Sequence, residues 1–257
     1  MKLAQGPAAG LTYFVDFALP ARPVRMSLVS GRGHYEQVLT AVRAARTSVW
    51  IATANLKELL IEDTRASARA RGRFHSVLDV FATLAGQGVE LRILHAGPPS
   101  GPFRSSFDRR PGLVRGGLEL RQCPRVHLKT VLIDGRLCYL GSANWTGAGL
   151  GAKGEGRRNF ELGMITDDCD LIDQVQALYE HIWRGAACRG CKLRESGCEA
   201  PIDVVIGTAP TKPRAKTTTA KPRAKPAITK SAITKSAITK SAIAKSAITK
   251  SAIRSPR

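Results

Sequence analysis

Apolar residues along this chain recur at two different periods, and the changes of period mark out helices and strands. In HYEQVLTAVRAARTSVWIATANL, Val38, Leu39, Val42 and Ala45 fall at helical spacing, and the compact apolar run from Ser48 to Ala52 follows at once. That pattern predicts a helix leading into a strand. The unit repeats in FHSVLDVFATLAGQGVELRILHA: Val77, Leu78, Val80, Phe81 and Leu84 make a helical stripe, Gly86-Gln87-Gly88 ends it, and residues 89–94 read as strand. Residues 97–116 are rich in Pro, Gly and Arg and predict a loop. Three strand-like segments come next, GLELRQC, VHLKTVLID and LCYLGSAN, the last two joined by a hairpin turn at Asp134-Gly135. LIDQVQALYEHIW closes the series as a helix, with Asp168 or Asp170 as its cap. The expected fold class is therefore α/β, a mixed β-sheet with helices on both faces.

The pattern stops at Ile206. Beyond it, TKPRAKTTTAKPRAKP runs into repeats of AITKS. A period of five turns successive Ile side chains by about 140° around a helix and alternates them across a strand, so neither form gains an apolar face. The segment predicts a disordered basic C-terminal tail, similar in composition to the tails of histone-H1-like proteins. The expected organisation is a lead-in over 1–32, a single domain over 33–200 and the tail over 201–257.

Charge sharpens this division. Residues 207–257 hold 13 Lys/Arg and no Asp/Glu, so they carry 13 of the net +20, while residues 1–206 carry only +7. Such a chain suits a polyanionic partner, nucleic acid first and an anionic phospholipid surface second. The body contains five lysines against 22 arginines, which singles out Lys129 among them. No apolar run reaches the roughly 20 residues that span a bilayer. Asp16 interrupts the apolar start LTYFVDFALPA, and six cysteines in a chain of 257 residues do not suggest a disulfide framework, so a cytoplasmic protein is the simpler expectation.

The candidate chemistry sits in VHLKTVLID and LGSANW. His127 and Lys129, two apart on an extended segment, point to one side, where an imidazole can attack or protonate and an ammonium can bind phosphate oxygens. Asp134 has the opposite parity and is expected to brace the strand. Ser142 and Asn144, again two apart, add a hydroxyl and an amide donor.

The pattern HxKxxxxD followed by GSANWT resembles the phospholipase D superfamily, the phosphodiesterases with the HKD motif. His127, Lys129, Asp134, Gly141, Ser142 and Asn144 fall at the family's spacing, and Glu161 in RRNFELG matches its later carboxylate, with Glu155 as a competitor. The chain contains one HxK, as in the single-motif branch whose site forms at a homodimer interface. The resemblance implies a phospholipase D-like fold and a double displacement: His127 of one subunit forms a phosphohistidine, and the other subunit's His127 handles the leaving-group and water protons. Two copies of Lys129 and Asn144 would bind the nonbridging oxygens, Glu161 would accept the other ring N–H of His127, and Ser142 would bind phosphate or support that contact. No catalytic metal or cofactor is implied. Arg104, Arg109, Arg110, Arg115, Arg157 and Arg158 are candidates to flank a polyanion groove.

A second constellation is His181-x6-Cys188-x2-Cys191-x6-Cys198, candidate ligands for a structural zinc; an iron–sulfur cluster and free or disulfide-linked cysteines are the alternatives. Cys123, Cys138 and Cys169 read as small buried apolar residues. A nuclease is the first expectation for function. A phospholipase D or phosphatidyltransferase is the second, and a non-catalytic DNA-binding module the third. Truncation after Ile206 is expected to weaken DNA affinity and flatten its salt dependence, measured by titration at several salt concentrations, while turnover of a small diester is unchanged. Equal DNA affinity of the two forms would remove the tail from binding.

Overall fold

The computed structural model describes residues 16–62, 74–199 and 202. Apart from Ile202, the tail expected to be disordered lies outside the described residues. The elements are β1 (Met26–Ser30), α1 (Arg32–Arg43), β2 (Ser48–Thr53), β3 (Leu60–Glu62), β4 (Phe74–Ser76), α2 (Val77–Gly86), β5 (Glu90–His95), α3 (Gly101–Asp108), β6 (Glu119–Gln122), β7 (Thr130–Ile133), β8 (Leu137–Gly141), β9 (Leu162–Thr166), α4 (Cys169–Trp183) and α5 (Lys192–Glu195). Seven strands form one sheet in the order β1-β9-β8-β7-β2-β5-β6, and β3 pairs with β4 separately. β2, β5 and β6 run parallel to one another, and every other pairing in the large sheet is antiparallel.

Alternation along the central strands divides the core between two faces. Val49 and Ile51 of β2, with Val131 and Ile133 of β7, pack with Val38, Leu39 and Val42 of α1 and Leu78 and Phe81 of α2. Trp50 and Ala52, with Leu132, pack instead with Ile172, Tyr179 and Trp183 of α4. Each such buried side chain contributes roughly 1.5–3 kcal/mol, so both faces must be covered, as the α/β pattern requires. On the α4 face Trp50, Tyr179 and Trp183 stack in series, with ring centroids 5.4 and 5.8 Å apart. Arg92 of β5 is accepted there because its guanidinium lies 4.6 Å from the Trp50 ring centre and its Nη1 meets Glu180 Oε1 at 2.6 Å.

The helix ends follow local chemistry. Ser76 Oγ accepts the N–H of Leu78 at the start of α2, and Asp168 Oδ1 accepts that of Leu171 at the start of α4. Asp168, not Asp170, is therefore the cap. The Arg22 guanidinium bonded to Asp168, helped by the Leu171 N–H, brings that carboxyl down to about 2.

Three expectations are corrected. Residues 97–116 are not all loop, because α3 occupies 101–108: Ser100 caps it, Pro102 sits in the first turn where its missing N–H costs nothing, and Phe103 is buried. Arg110 does not face a groove; it holds α3 to α2 through Asp79 Oδ1, with its Nη2 at 2.6 Å. The lead-in 1–32 contains an edge strand, β1, which escaped notice because only Val29 of its five residues is buried. No described helix is long and apolar enough to cross a membrane.

The β7–β8 hairpin turns at Asp134 and Gly135, both left-handed, with φ of 54° and 61°. Asp and Gly tolerate that region, and the turn closes with Arg136 N to Ile133 O at 2.9 Å before Leu137 pairs with Ile133. Asp134 then turns its carboxylate onto the start of β2, accepting from the backbone N–H of Arg46, Thr47 and Ser48 and from Thr47 Oγ1. Burial by itself would raise its pKa, but the N–H groups of Ser48, Thr47 and Arg46 and the Thr47 hydroxyl outweigh that and hold it below the ordinary value. Depression on folding means stability present above the unfolded pKa of about 3.9 and lost as pH falls through the folded value. Asp134→Asn is expected to cost about 2 kcal/mol in urea unfolding at neutral pH, with the difference from the parent closing below about pH 4. A difference that stays constant with pH would exclude this role.

Candidate active site

Strand direction gathers the candidate residues at one edge of the sheet. β2 and β5 end there, at Thr53 and His95, and β8 ends there at Gly141; β7 and β9, running the other way, begin there. The residues just before β7 are His127 and Lys129, those after β8 are Ser142 and Asn144, and Glu161 immediately precedes β9.

Residues 126–129 lie outside the paired part of β7, although Lys129 O still accepts the N–H of Gly141 at 3.1 Å. β2 runs out at Thr53, whose neighbour Ala52 is opposite Thr130, so the expected long strand 126–134 is paired to β2 only from Thr130. Alternation persists nonetheless. Val126 is buried and Leu128 packs against the α4-side core, which leaves His127 outside and Lys129 half-exposed beside it. Lys129 Nζ donates to His127 O at 2.8 Å and lies 3.1 Å from both imidazole nitrogens. The lone-pair directions of the two ring nitrogens diverge, so one ammonium cannot be in line with both, and this is a close contact over the ring, not a pair of hydrogen bonds. Burial lowers the pKa of Lys129, and the charge of Glu161 opposes that shift.

Ser142 and Glu161 form a small network. Ser142 Oγ donates to Glu161 Oε2 and accepts the N–H of Leu162 at 3.1 Å, while Asn159 Nδ2 donates to Glu161 Oε1 at 3.0 Å. Among the described residues Glu161 makes no hydrogen bond to His127, so the expected fixing of the imidazole tautomer is not made within one chain. Glu155 lines the same cavity of about 500 Å³ as Ser142, Arg158 and Glu161, yet only Glu161 bonds to Ser142. Gly141 and Gly163, opposite each other on β8 and β9, leave room for the Tyr139 side chain; a Cβ would lie 2.3 Å from its hydroxyl at Gly141 and 2.3 Å from its ring at Gly163.

Asn144 is oriented by its backbone neighbours. Its Oδ1 accepts from Ala54 N and Asn55 N at 3.1 Å and from Thr53 Oγ1 at 3.2 Å. An atom that accepts two backbone N–H bonds must be the amide oxygen, which fixes the NH2 group as the end that can serve a ligand. Trp145, stacked on Phe81 with centroids 5.9 Å apart, holds the loop in place. His95 is buried, its Nδ1 is 2.8 Å from Gly97 O, and burial lowers its pKa; it supports the edge and does not open onto it.

On the other side of His127 is a mainly apolar cavity of about 460 Å³, bordered also by Arg125, Leu128, Leu178 and His181. Arg125 is a residue that sequence reasoning passed over, although Arg125, His127 and Lys129 share one parity in RVHLK. His181 thus faces the His127 cavity, while Cys188, Cys191 and Cys198 line a different one. Among the described residues no three His, Cys, Asp or Glu side chains stand close enough to hold a metal ion, so the proposed set of His181 with three cysteines is not assembled. Arg158 borders the Glu161 cavity.

The family model described as "Cardiolipin synthase, PLD-like domain" matches residues 38–183, and the chain belongs to that phospholipase D-like family. Among solved structures it is similar to NucT from Helicobacter pylori, at 16% identity and a TM-score of 0.44 over 62% of this chain and 94% of that one. It is also similar to Nuc from Salmonella typhimurium, described as a phospholipase D family member, at 16% identity and a TM-score of 0.45 over 62% and 95%. The archaeal chromatin protein TrmBL2 gives 15% identity and a TM-score of 0.43 over 62% and 52%. No curated protein sequence matches.

Because the Glu161 charge raises the Lys129 pKa against its burial, Glu161→Gln is expected to lower that pKa further. An NMR titration of the Lys129 side chain reads this directly; an unchanged or raised value would separate the two residues electrostatically.

Proposed function

We propose that this chain is a phosphodiesterase hydrolase that works through a phosphohistidine on His127, without a catalytic metal, at a site completed by a second copy of itself, and that its substrate is nucleic acid. One observation carries the reading. An imidazole and an ammonium stand adjacent and accessible at the strand ends, beside Ser142–Glu161 and an Asn144 amide turned outward, and the chain contains a single such pair.

A ring nitrogen of His127 attacks phosphorus and the bond to the leaving oxygen breaks. The second copy's His127, protonated, supplies that oxygen with its proton. It then takes a proton from water, which attacks the phosphorus and releases the histidine. Two imidazoles that meet at one phosphate divide these roles, one neutral and one charged. Lys129 and the Asn144 NH2 stabilise the charge that grows on the nonbridging oxygens, and the ammonium supplies charge that a metal would otherwise bring. Glu161 sets the Ser142 hydroxyl and adds a compensating charge near Lys129. Asp134 acts at a distance, by holding the far end of β7.

A second copy also suits the surface. Phe160, next to Glu161, is fully exposed, and Leu28 and Leu162 are 68% and 56% exposed on the adjoining β1 and β9. An apolar rim of this kind beside a polar site favours a protein interface. The excess of basic residues in the body and the 13 spread along the tail favour nucleic acid. The second reading is a phosphatidyl transferase, which the exposed Phe160 beside the cavity and the name of the family both favour.

His127→Ala is expected to lower turnover by about 1,000-fold or more, brief EDTA treatment should have no effect, and rapid quenching should trap phosphate on His127. Plasmid DNA, single-stranded DNA, RNA and phosphatidylcholine vesicles offered in parallel decide the substrate. Full turnover by a strict monomer would overturn the shared site.

A further inference from the structure

Four cysteines line one small cavity, and they are not the set that sequence spacing indicates. Cys188, Cys191 and Cys198 are joined there by Cys123, from the end of β6. The cavity measures about 20 Å³. By the same measure a water molecule needs roughly 10–15 Å³, so it has room for one small ion and little else. His181 lines the neighbouring cavity beside His127.

The segment that carries three of these cysteines buries little of itself. From 188 to 199 only the three cysteines are half-buried, and all other residues are exposed. α5 buries nothing. Even so, the backbone follows a close succession of turns, with Cys191 N to Cys188 O at 3.3 Å, Arg194 N to Cys191 O at 2.9 Å and Cys198 N to Leu193 O at 2.8 Å. Exposed turns do not offset the backbone entropy of about 1–2 kcal/mol per residue by themselves, and short segments that lack a core are commonly fixed by disulfides or metal. All six cysteines are free thiols.

Hydrogen-bond donors face two of the four sulfurs. The backbone N–H groups of Arg194 and Leu193 and the side chain of Arg125 act as donors toward the Cys191 sulfur, and the N–H of Arg125 acts toward Cys123. Donors two and three residues beyond a cysteine are the outer contacts that orient metal-bound sulfur.

We propose that Cys123, Cys188, Cys191 and Cys198 bind one zinc ion with tetrahedral thiolate coordination. The thiols rotate inward from their present positions, in which no three meet at ligand distance, and release their protons to solvent as four Zn–S bonds form. The ion ties the turn Cys123–Val126, closed by Val126 N to Cys123 O at 2.9 Å, to the chain leaving α4. That turn is the approach to His127, so the clamp fixes where the catalytic segment begins. Zinc here is structural, and its presence does not depend on the reaction proposed above.

The test is the metal content of the full chain, purified without added metal and measured by elemental mass spectrometry. One zinc per chain is expected. Cys123→Ser and Cys191→Ser should each weaken zinc binding by at least about 100-fold, while His181→Ala should retain it. Cobalt reconstitution of the unaltered chain should give thiolate charge-transfer and tetrahedral ligand-field bands, a readout that needs no variant to fold. Two disulfides in the native mass, a chain free of metal with all thiols reactive, an iron–sulfur spectrum, zinc unaffected by Cys123→Ser, or zinc lost in His181→Ala would each overturn the assignment.

Discussion

Strand β7 runs against both of its neighbours, and the site depends on that reversal. With β8 ending where β7 and β9 begin, three separate stretches of chain deliver the candidate side chains to one edge of the sheet. The far end of β7 is held by the Asp134 carboxylate, which gathers three backbone N–H groups at the start of β2. All four paired residues of β7 are buried, which specifies its register. A charged acceptor bonded to a neighbouring strand reinforces that register, and the register sets the position of Lys129 and His127 at the other end.

The same division between holding and exposing recurs in each candidate side chain. Asn144 spends its carbonyl oxygen on the end of β2 and keeps its NH2 group for the site. Glu161 spends one oxygen on Asn159 and the other on Ser142, while its charge opposes the effect of burial on Lys129. Lys129 is anchored through the backbone carbonyl of His127. Such arrangements limit the rotamer freedom of these side chains, the condition that electrostatic preorganisation requires.

The surface around this edge has two different characters. The Glu161 side carries Arg158 and the exposed Phe160; the His127 side is a mainly apolar cavity that ends at His181. Beyond it lies the cysteine-lined cavity, one turn of chain from His127. The segment that presents the imidazole is thus restrained by β7 at one end and by the Cys123 turn at the other.

The sequence by itself determined the periodic elements: α1, α2, α4 and the strands β2, β5 and β8 follow from apolar spacing, and the Asp134-Gly135 turn from residues that accept positive φ. The spacing HxKxxxxD with GSxN also marked His127, Lys129, Ser142 and Asn144, because parity along a strand is a local property. Features that depend on distant partners were not legible. β1 has one buried residue and becomes a strand only through β9; α3 was hidden by Pro102, whose position at a helix start is settled by the burial of Phe103. Which carboxylate meets Ser142, and which cysteines share a cavity, are contacts between residues far apart in the chain, and only the tertiary structure decided them. Spacing grouped His181 with Cys188 because they are seven residues apart, whereas the fold placed Cys123 there because β6 ends beside the exit of α4.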